Sequence, residues 1–225
     1  MARTTSASLE SSAASSPSEA GKALRRNLLL EAAYDVFSSS GYHRTRLGDV
    51  AAAAGYSKAS VYNYFEDKEE LFLQTSITAS GDIVTLLEAE SQTGDTALAT
   101  LRRMLRHLLS DAGGLYSFVQ AVTEYHGELQ TADERTPERR QLIARHLEGL
   151  RGILQVLAEA IQAGKTSGEF RCSLDELVIA RMLTGLVRSV LLRWRLDGAK
   201  TDVETELDQI MAFAAAGLQG PSTHT

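Results

Sequence analysis

Disulfide chemistry within this chain is closed off, because Cys172 is its only cysteine. A lone thiol of this kind reads as a small half-buried apolar residue, and a redox sensor would lack a second cysteine to resolve it. Only three prolines interrupt the 225 residues, the 17 glycines are scattered, and β-branched runs are scarce. Sheets are disfavoured by those shortages, and the abundance of Ala and Leu favours an all-α fold. No run can span a bilayer: the longest uncharged stretch near the end, Gln209 to Thr223, is too short and too polar. An apolar signal core is missing from the N-terminus, which makes the cytoplasm the expected location. Also missing are a nucleophile–base–acid set, a phosphate loop and a metal cluster, so neither an enzyme nor a bound cofactor is expected. Glu124, His126 and Glu128 alternate, and a helix spreads such residues over different faces, which is poor geometry for a metal.

Positive charge is in short supply overall, with a net charge of −6, but it is unevenly placed. Lys22 to Phe65 carries six basic and three acidic side chains, against sixteen and twenty-four from Glu66 onwards. A mildly basic N-terminal unit on an acidic body hints at a polyanion-binding end. Before it, residues 1–21 are rich in Ser and Ala and hold too little apolar surface to offset ordering entropy, so a disordered arm is expected. The organisation expected is therefore arm 1–21, head 22–67, body 68–219 and tail 220–225.

Helical periodicity begins at about Lys22. Leu29, Ala32, Ala33, Val36 and Phe37 form one stripe, and Gly41 ends that helix. Thr45 is the expected N-cap of a second helix with Leu47, Val50, Ala51 and Ala54 inward. Gly55 breaks it, Ser57 caps a short third helix anchored by Val61 and Phe65, and Asp67 with Glu70 forms a capping box for the fourth. Further breaks at Gly94, Gly113–Gly114, Thr131–Pro137, Gly164–Cys172 and Gly198–Thr201 delimit helices of roughly 95–111, 115–129, 137–163, 174–196 and 202–217, nine in all.

The segment Leu47–Phe65, LGDVAAAAGYSKASVYNYF, carries the functional signal. Two helices joined by a tight turn must cross closely. Ala51 is small where they cross, Gly55 tolerates the positive φ of the turn, and Val61 anchors the second helix from inside, the spacing of a helix-turn-helix. The outward face of that second helix carries Lys58, Ala59, Tyr62 and Asn63, a mix that reaches base edges without bulk. Lys58 and Asn63 suit bases, while Tyr62, Tyr64 and Lys68 suit phosphates. The helix start at Ser57 presents N–H groups to a phosphate oxygen, and Arg44, Thr45 and Arg46 form a second polar cluster.

Residues 25–72, RRNLLLEAAYDVFSSSGYHRTRLGDVAAAAGYSKASVYNYFEDKEELF, closely resemble the N-terminal domain of TetR-family regulators. The first-helix signature AA-x2-VF-x3-GY-x2-T runs from Ala32 to Thr45, the turn AG-x-S from Ala54 to Ser57, and VY-x-YF-x2-KEEL from Val61 to Leu71. Tyr56 departs from the small aliphatic usual at its position, and Ala59 from a frequent glycine. The resemblance implies groove-facing Arg46, Lys58, Ala59 and Asn63, and phosphate contacts from Thr45, Ser57, Ser60, Tyr62, Tyr64 and Lys68. It also implies about nine helices in two domains, a three-helix DNA-binding domain and a C-terminal helical ligand-binding and dimerisation domain, working as a homodimer on a double-stranded DNA operator.

The body is read from its own pattern. Ile143, Leu147, Leu150, Leu154, Leu157 and Ile161 make a bundle seam. Helix 174–196 is apolar over an arc too wide for one neighbour, and with helix 202–217 it is the expected dimer interface. Candidate contacts for an unknown small-molecule effector are Met104, His107, Tyr116, Phe118, Tyr125, His126, Met182 and Arg188, polarizable or polar residues among apolar helices. The expectation is a ligand-released repressor of a palindromic operator. A constitutive DNA-binding protein or an activator of the same fold, and an enzyme or small-molecule carrier that has lost DNA binding, stay open from the residues alone.

Overall fold

The computed structural model of the chain describes residues 17–110, 114–129, 136–197 and 202–219. Among them are nine helices and no strand: α1 (Pro17–Ser40), α2 (Leu47–Ala53), α3 (Lys58–Tyr62), α4 (Lys68–Ser91), α5 (Ala97–Ser110), α6 (Gly114–Leu129), α7 (Pro137–Thr166), α8 (Glu176–Asp197) and α9 (Val203–Gln219). Arm residues 1–16, the breaks at 111–113, 130–135 and 198–201, and the tail 220–225 lie outside the described residues.

α1 starts at Pro17, so residues 17–21 of the expected disordered arm are helical. Proline fits a first helical turn, where no N–H is needed, and Glu19 there complements the helix dipole. α2 is capped by Arg46 rather than Thr45. Asp49 accepts a bond from the Arg46 amide at 3.0 Å, while the Thr45 hydroxyl is turned back to the Gly41 carbonyl at 2.7 Å. The capping box of α4 is also displaced: Asp67 accepts from the Glu70 amide, but the Glu70 carboxylate returns to Glu66, one residue upstream.

Two apolar cores result, and their boundary decides how the molecule works. The body core gathers Leu101, Leu105, Leu157, Ile161, Leu183, Val187 and Leu207 from α5, α7, α8 and α9. The second core contains Phe37, Val50, Val61, Phe65 and Phe72 of the head, and also Phe118, Ala121, Val122 and Tyr125 of α6, with Ile143 and Leu150 of α7 against it. The head is thus not a detached module; α6 completes its core.

Close helix crossings use small residues. Gly149 of α7 meets the Ser80 side chain of α4, and Gly152 meets Val84. At the C-terminal end of α7, a methyl on Gly164 would collide with the Phe170 ring and stand 2.8 Å from Ala97 Cβ. Phe170 is pinned there by its amide bond to the Gly164 carbonyl, and the neighbouring Glu169 carboxylate accepts from the Ala97 and Leu98 amides, capping α5. Gly164→Ala is therefore expected to destabilise the fold by about 1–3 kcal/mol through overpacking, despite alanine's better helix propensity. A denaturant midpoint equal to the parent's would show that the ring can move aside.

Candidate nucleic-acid interface and effector cavity

The reading unit is built on two glycines in the left-handed region, Gly41 at φ 80° and Gly55 at φ 73°. Gly55 turns the chain between α2 and α3, and the Tyr56 amide closes the turn on the Ala51 carbonyl. Val50, Ala51, Val61 and Phe65 are buried beneath it. Ser57 caps α3, its hydroxyl oxygen accepting from the Ser60 amide at 3.1 Å. What remains outside is one polar surface of Arg44, Arg46, Ser57, Lys58, Ala59, Tyr62 and Asn63, all exposed. Lys58 Nζ stands 5.9 Å from the centre of the Tyr62 ring, and Tyr62 is 51% exposed. A large aromatic left that open, beside a cation and an amide, suits a polyanion surface.

Behind the reading unit, α6 joins head to body through three consecutive residues. Glu124 accepts from the amides of Tyr42 at 2.8 Å and His43 at 3.3 Å. The Tyr125 hydroxyl donates to Glu69 of α4 at 2.9 Å. His126 Nε2 lies 2.9 Å from His146 Nε2 of α7, and His146 Nδ1 lies 2.9 Å from the Ser76 hydroxyl of α4. Successive helical residues point about 100° apart, so these three fan out to three different elements. His146 is completely buried. Burial, and secondarily the adjacent His126, pull its pKa down to about 4; burial also lowers that of His126. A second brace comes from Arg139 of α7, whose guanidinium meets Asp67 at 2.8 Å.

On the far side of α6 lies a cleft of about 440 Å³. Its walls are Ile83 of α4, Leu108 of α5, Val119 of α6, Leu150, Ile153 and Leu154 of α7, and Val187 and Leu191 of α8, with Thr184 and the exposed guanidinium-bearing Arg181 and Arg188 along α8. An apolar chamber with two cations at its edge fits an amphiphile with an anionic end.

Comparison with known proteins agrees with this arrangement. Residues 29–75 match the family model described as bacterial regulatory proteins, tetR family, and residues 117–217 match the C-terminal region of YsiA-like protein. A fatty acid metabolism regulator protein of Bacillus subtilis is 25% identical over 191 residues, spanning 84% of this chain and 93% of its own. The HTH-type transcriptional repressor KstR2 of Rhodococcus jostii is 27% identical over 203 residues, 89% of this chain and 94% of its own. In structure, the regulator FadR from Bacillus subtilis, solved in complex with stearoyl-CoA, superposes with a TM-score of 0.66 at 24% identity, covering 85% and 98% of the two chains. This chain belongs to the TetR family of transcriptional regulators.

Within this TetR-family regulator, the structure redistributes several of the residues singled out by sequence. Thr45 is only 2% exposed, so its side chain locks the turn instead of reaching a phosphate. Lys68 is half-buried: its ammonium donates to the Tyr42 carbonyl at 3.1 Å and sits 4.3 Å from the Tyr42 ring centre. It braces the turn from behind. Tyr64 is half-buried against the head core, and the Ser60 hydroxyl lies 2.8 Å from that of Ser57.

Of the seven effector candidates whose side chains are described, only Arg188 lines the cleft. Met104 is fully buried in the body core. His107 is bound to Glu90 at 2.7 Å, in a network with Arg103. Phe118 is stacked between Tyr34 and Phe72, and Tyr125 and His126 belong to the α6 joint. Met182 is 55% exposed on α8. Tyr116 falls in α6, and its side chain lies outside the described residues. Polarizable residues at helical spacing went to packing, while the cleft is walled by ordinary Leu, Ile and Val. Sequence reasoning weighed Glu124 only within a poor metal set and passed over His146. One signal was available for the second: His146 stands three residues after Ile143 and four before Leu150, a polar residue within the seam.

Proposed function

We propose that this regulator binds a palindromic operator as a homodimer, represses there, and is released by a long-chain acyl thioester or a comparable anionic amphiphile. The observation that carries the effector class is the cleft: apolar walls from five helices, with Arg181 and Arg188 at its α8 edge. Its volume of about 440 Å³ lies within the roughly 300–1,000 Å³ usual for small-molecule sites. The Bacillus subtilis relative named for fatty acid metabolism, and the Bacillus subtilis FadR structure solved with stearoyl-CoA, support the class. Dimerisation is supported by large apolar side chains left outside on α8 and α9: Leu177, Met182, Leu192, Leu196 and, at 71% exposure, Phe213. A monomer rarely leaves so many on adjacent helices, and a symmetric four-helix bundle would cover them. Two short reading helices on a two-fold axis then address half-sites about one helical turn of DNA apart, roughly 34–36 Å.

The test begins with an operator selected from random-sequence DNA, whose binding by a dimer is checked by sedimentation. Palmitoyl-CoA and stearoyl-CoA are then titrated against the complex, with free coenzyme A as control. Trp194 is the only tryptophan and is buried in the same core as Val187 and Leu191, so its emission reports ligand entry directly. Release by both acyl thioesters and not by coenzyme A is the expected result. Arg188→Ala should weaken acyl-CoA binding roughly tenfold, the worth of one charge-assisted contact, and leave operator affinity unchanged. An unaltered acyl-CoA affinity would remove Arg188 from the site. Operator binding indifferent to every acyl thioester would reject the effector class.

A further inference from the structure

The turn between α1 and α2 is held from both sides. On its amide face, Glu124 of α6 accepts from the Tyr42 and His43 N–H groups at 2.8 and 3.3 Å. On its carbonyl face, Lys68 of α4 donates to the Tyr42 oxygen at 3.1 Å. The preceding Gly41 has a positive φ, and a Cβ there would stand 2.7 and 2.9 Å from the two Glu124 carboxylate oxygens. Glycine is thus required twice, by backbone conformation and by the approach of the carboxylate. Arg44, Thr45 and Arg46 follow this turn and lead into α2, so wherever the turn is fixed, α2 and α3 are fixed with it. Glu124 lies five residues along α6 from Val119 of the cleft wall, about 7.5 Å at 1.5 Å per residue.

We propose that the Glu124 carboxylate is the positioning contact that sets where the DNA-reading helices sit on the body, and thereby which half-site spacing the dimer accepts. Two amides converging on one carboxylate form a charge-assisted, directional clamp that apolar packing alone cannot replace. Around it, α1 meets α6 through apolar packing, such as Tyr34 on Phe118 at 4.8 Å, which lacks that directionality. Removing the clamp therefore leaves the head packed on α6 while the α1–α2 turn, and with it the entry to α2, loses its fixed position. The spacing part of this inference rests on the dimeric, palindrome-reading function proposed above.

The experiment compares full-length wild type, Glu124→Gln and Glu124→Ala. Each is titrated with the selected operator and with versions whose half-sites are moved apart or together by one and two base pairs. Wild type is expected to reject altered spacings by about tenfold or more, the scale of one misplaced contact set. Glu124→Ala should accept all spacings within about threefold of one another, since one lost charge-assisted bond is worth roughly tenfold, the size of the discrimination that disappears. Glu124→Gln keeps an acceptor oxygen and should stay near wild type. A purely structural loss would instead lower binding to every spacing alike, and that result, or a wild-type profile from Glu124→Ala, overturns the proposal. Amide hydrogen exchange supplies a readout that needs no DNA. The Tyr42 and His43 amides should lose protection in Glu124→Ala while those of Val50 and Val61 keep theirs. Equal protection of Tyr42 and His43 in wild type and Glu124→Ala overturns the clamp. Failure of wild type to select any palindrome would instead strike the function proposed above, with the clamp still judged by exchange.

Discussion

Phe72→Ala is expected to cost about 3–5 kcal/mol of stability, the range for emptying a fully buried aromatic site, and to weaken operator binding in protein that remains folded. Phe72 is completely buried and is the ring on which the head–body joint converges. Its centroid is 4.9 Å from Phe37 and from Tyr42 of the head, 5.6 Å from Phe118 and 5.1 Å from Tyr125 of α6, and 6.3 Å from His146 of α7. Edge-to-face and offset pairs at these distances add to the burial of apolar area. Five neighbours from four elements cannot all close in on the hole, so the residual cavity is large and the cost sits at the upper end of its class. Leu101→Ala is the control: it empties an equally buried position, but in the body core. Chemical denaturation at fixed protein concentration gives both losses, and operator affinity under fully native conditions separates them. Phe72→Ala should lose operator affinity there, and Leu101→Ala should not. A denaturant midpoint for Phe72→Ala within about 1 kcal/mol of wild type would mean that the joint repacks freely, and α6 could not then hold the head rigidly.

How much of this was legible in the sequence depends on how local each cause is. Gly41, Gly55, Ser57, Val61 and Asp67 answer to constraints within one turn of chain: a positive φ, a cap, an inward anchor. The reading unit could therefore be assigned from spacing and from its resemblance to the TetR family. Exposed polar positions such as Lys58, Tyr62 and Asn63 followed from the same periodicity. The cleft obeys no local rule. It exists because Ile83, Val119, Leu154 and Leu191, apolar residues indistinguishable in sequence from their neighbours, belong to four helices that diverge at one level. Met104 and His107, more distinctive as letters, were taken up by packing and by an ion-pair network.

The joint was illegible for a related reason. Phe118 and Tyr125 form an apolar stripe on α6 that is visible in sequence, but nothing local says that the stripe faces α1 rather than the body. Thr45 and Lys68 show the converse. Their side-chain chemistry suits phosphate, yet a backbone carbonyl within reach claimed each: Gly41 for Thr45 and Tyr42 for Lys68. A buried donor must find a partner inside the fold before it can serve a ligand outside it.

His146, buried beside the half-buried His126, sets the second large expectation: stability should fall by roughly 3 kcal/mol between pH 6.5 and pH 4. His146 titrates near 6.5 in the unfolded chain but near 4 in the folded one. Between those values the unfolded state binds a proton that the folded state refuses, so stability rises with pH across that window and is level above it. The refusal has a structural cause. Nε2 faces His126 at 2.9 Å and Nδ1 faces the Ser76 hydroxyl at 2.9 Å, while Phe72 and Tyr125 close the remaining sides. Two neutral imidazoles share one proton along that line; two charged ones have no acceptor between them and repel. Glu69, which accepts from the Tyr125 hydroxyl, is already paired with Arg139 at 3.6 Å. Above pH 4.5 the carboxylates with lowered pKa values add little to this decline. Glu90, Glu176 and Glu204 have pKa values held below the usual 4.5 by His107 and Arg103, by Lys165, and by Arg106 and Arg102 respectively. Their stabilising bonds are present above 4.5 and are lost only as pH falls further. Acid unfolding followed at pH 7, 6, 5.5 and 5 should thus show a decline that His146→Gln, neutral throughout, removes, although that variant starts less stable. The same decline in His146→Gln would assign the acid sensitivity elsewhere. Because the pair ties α6 to α7 beside the head, operator affinity should weaken over the same window in wild type, before the fold is lost.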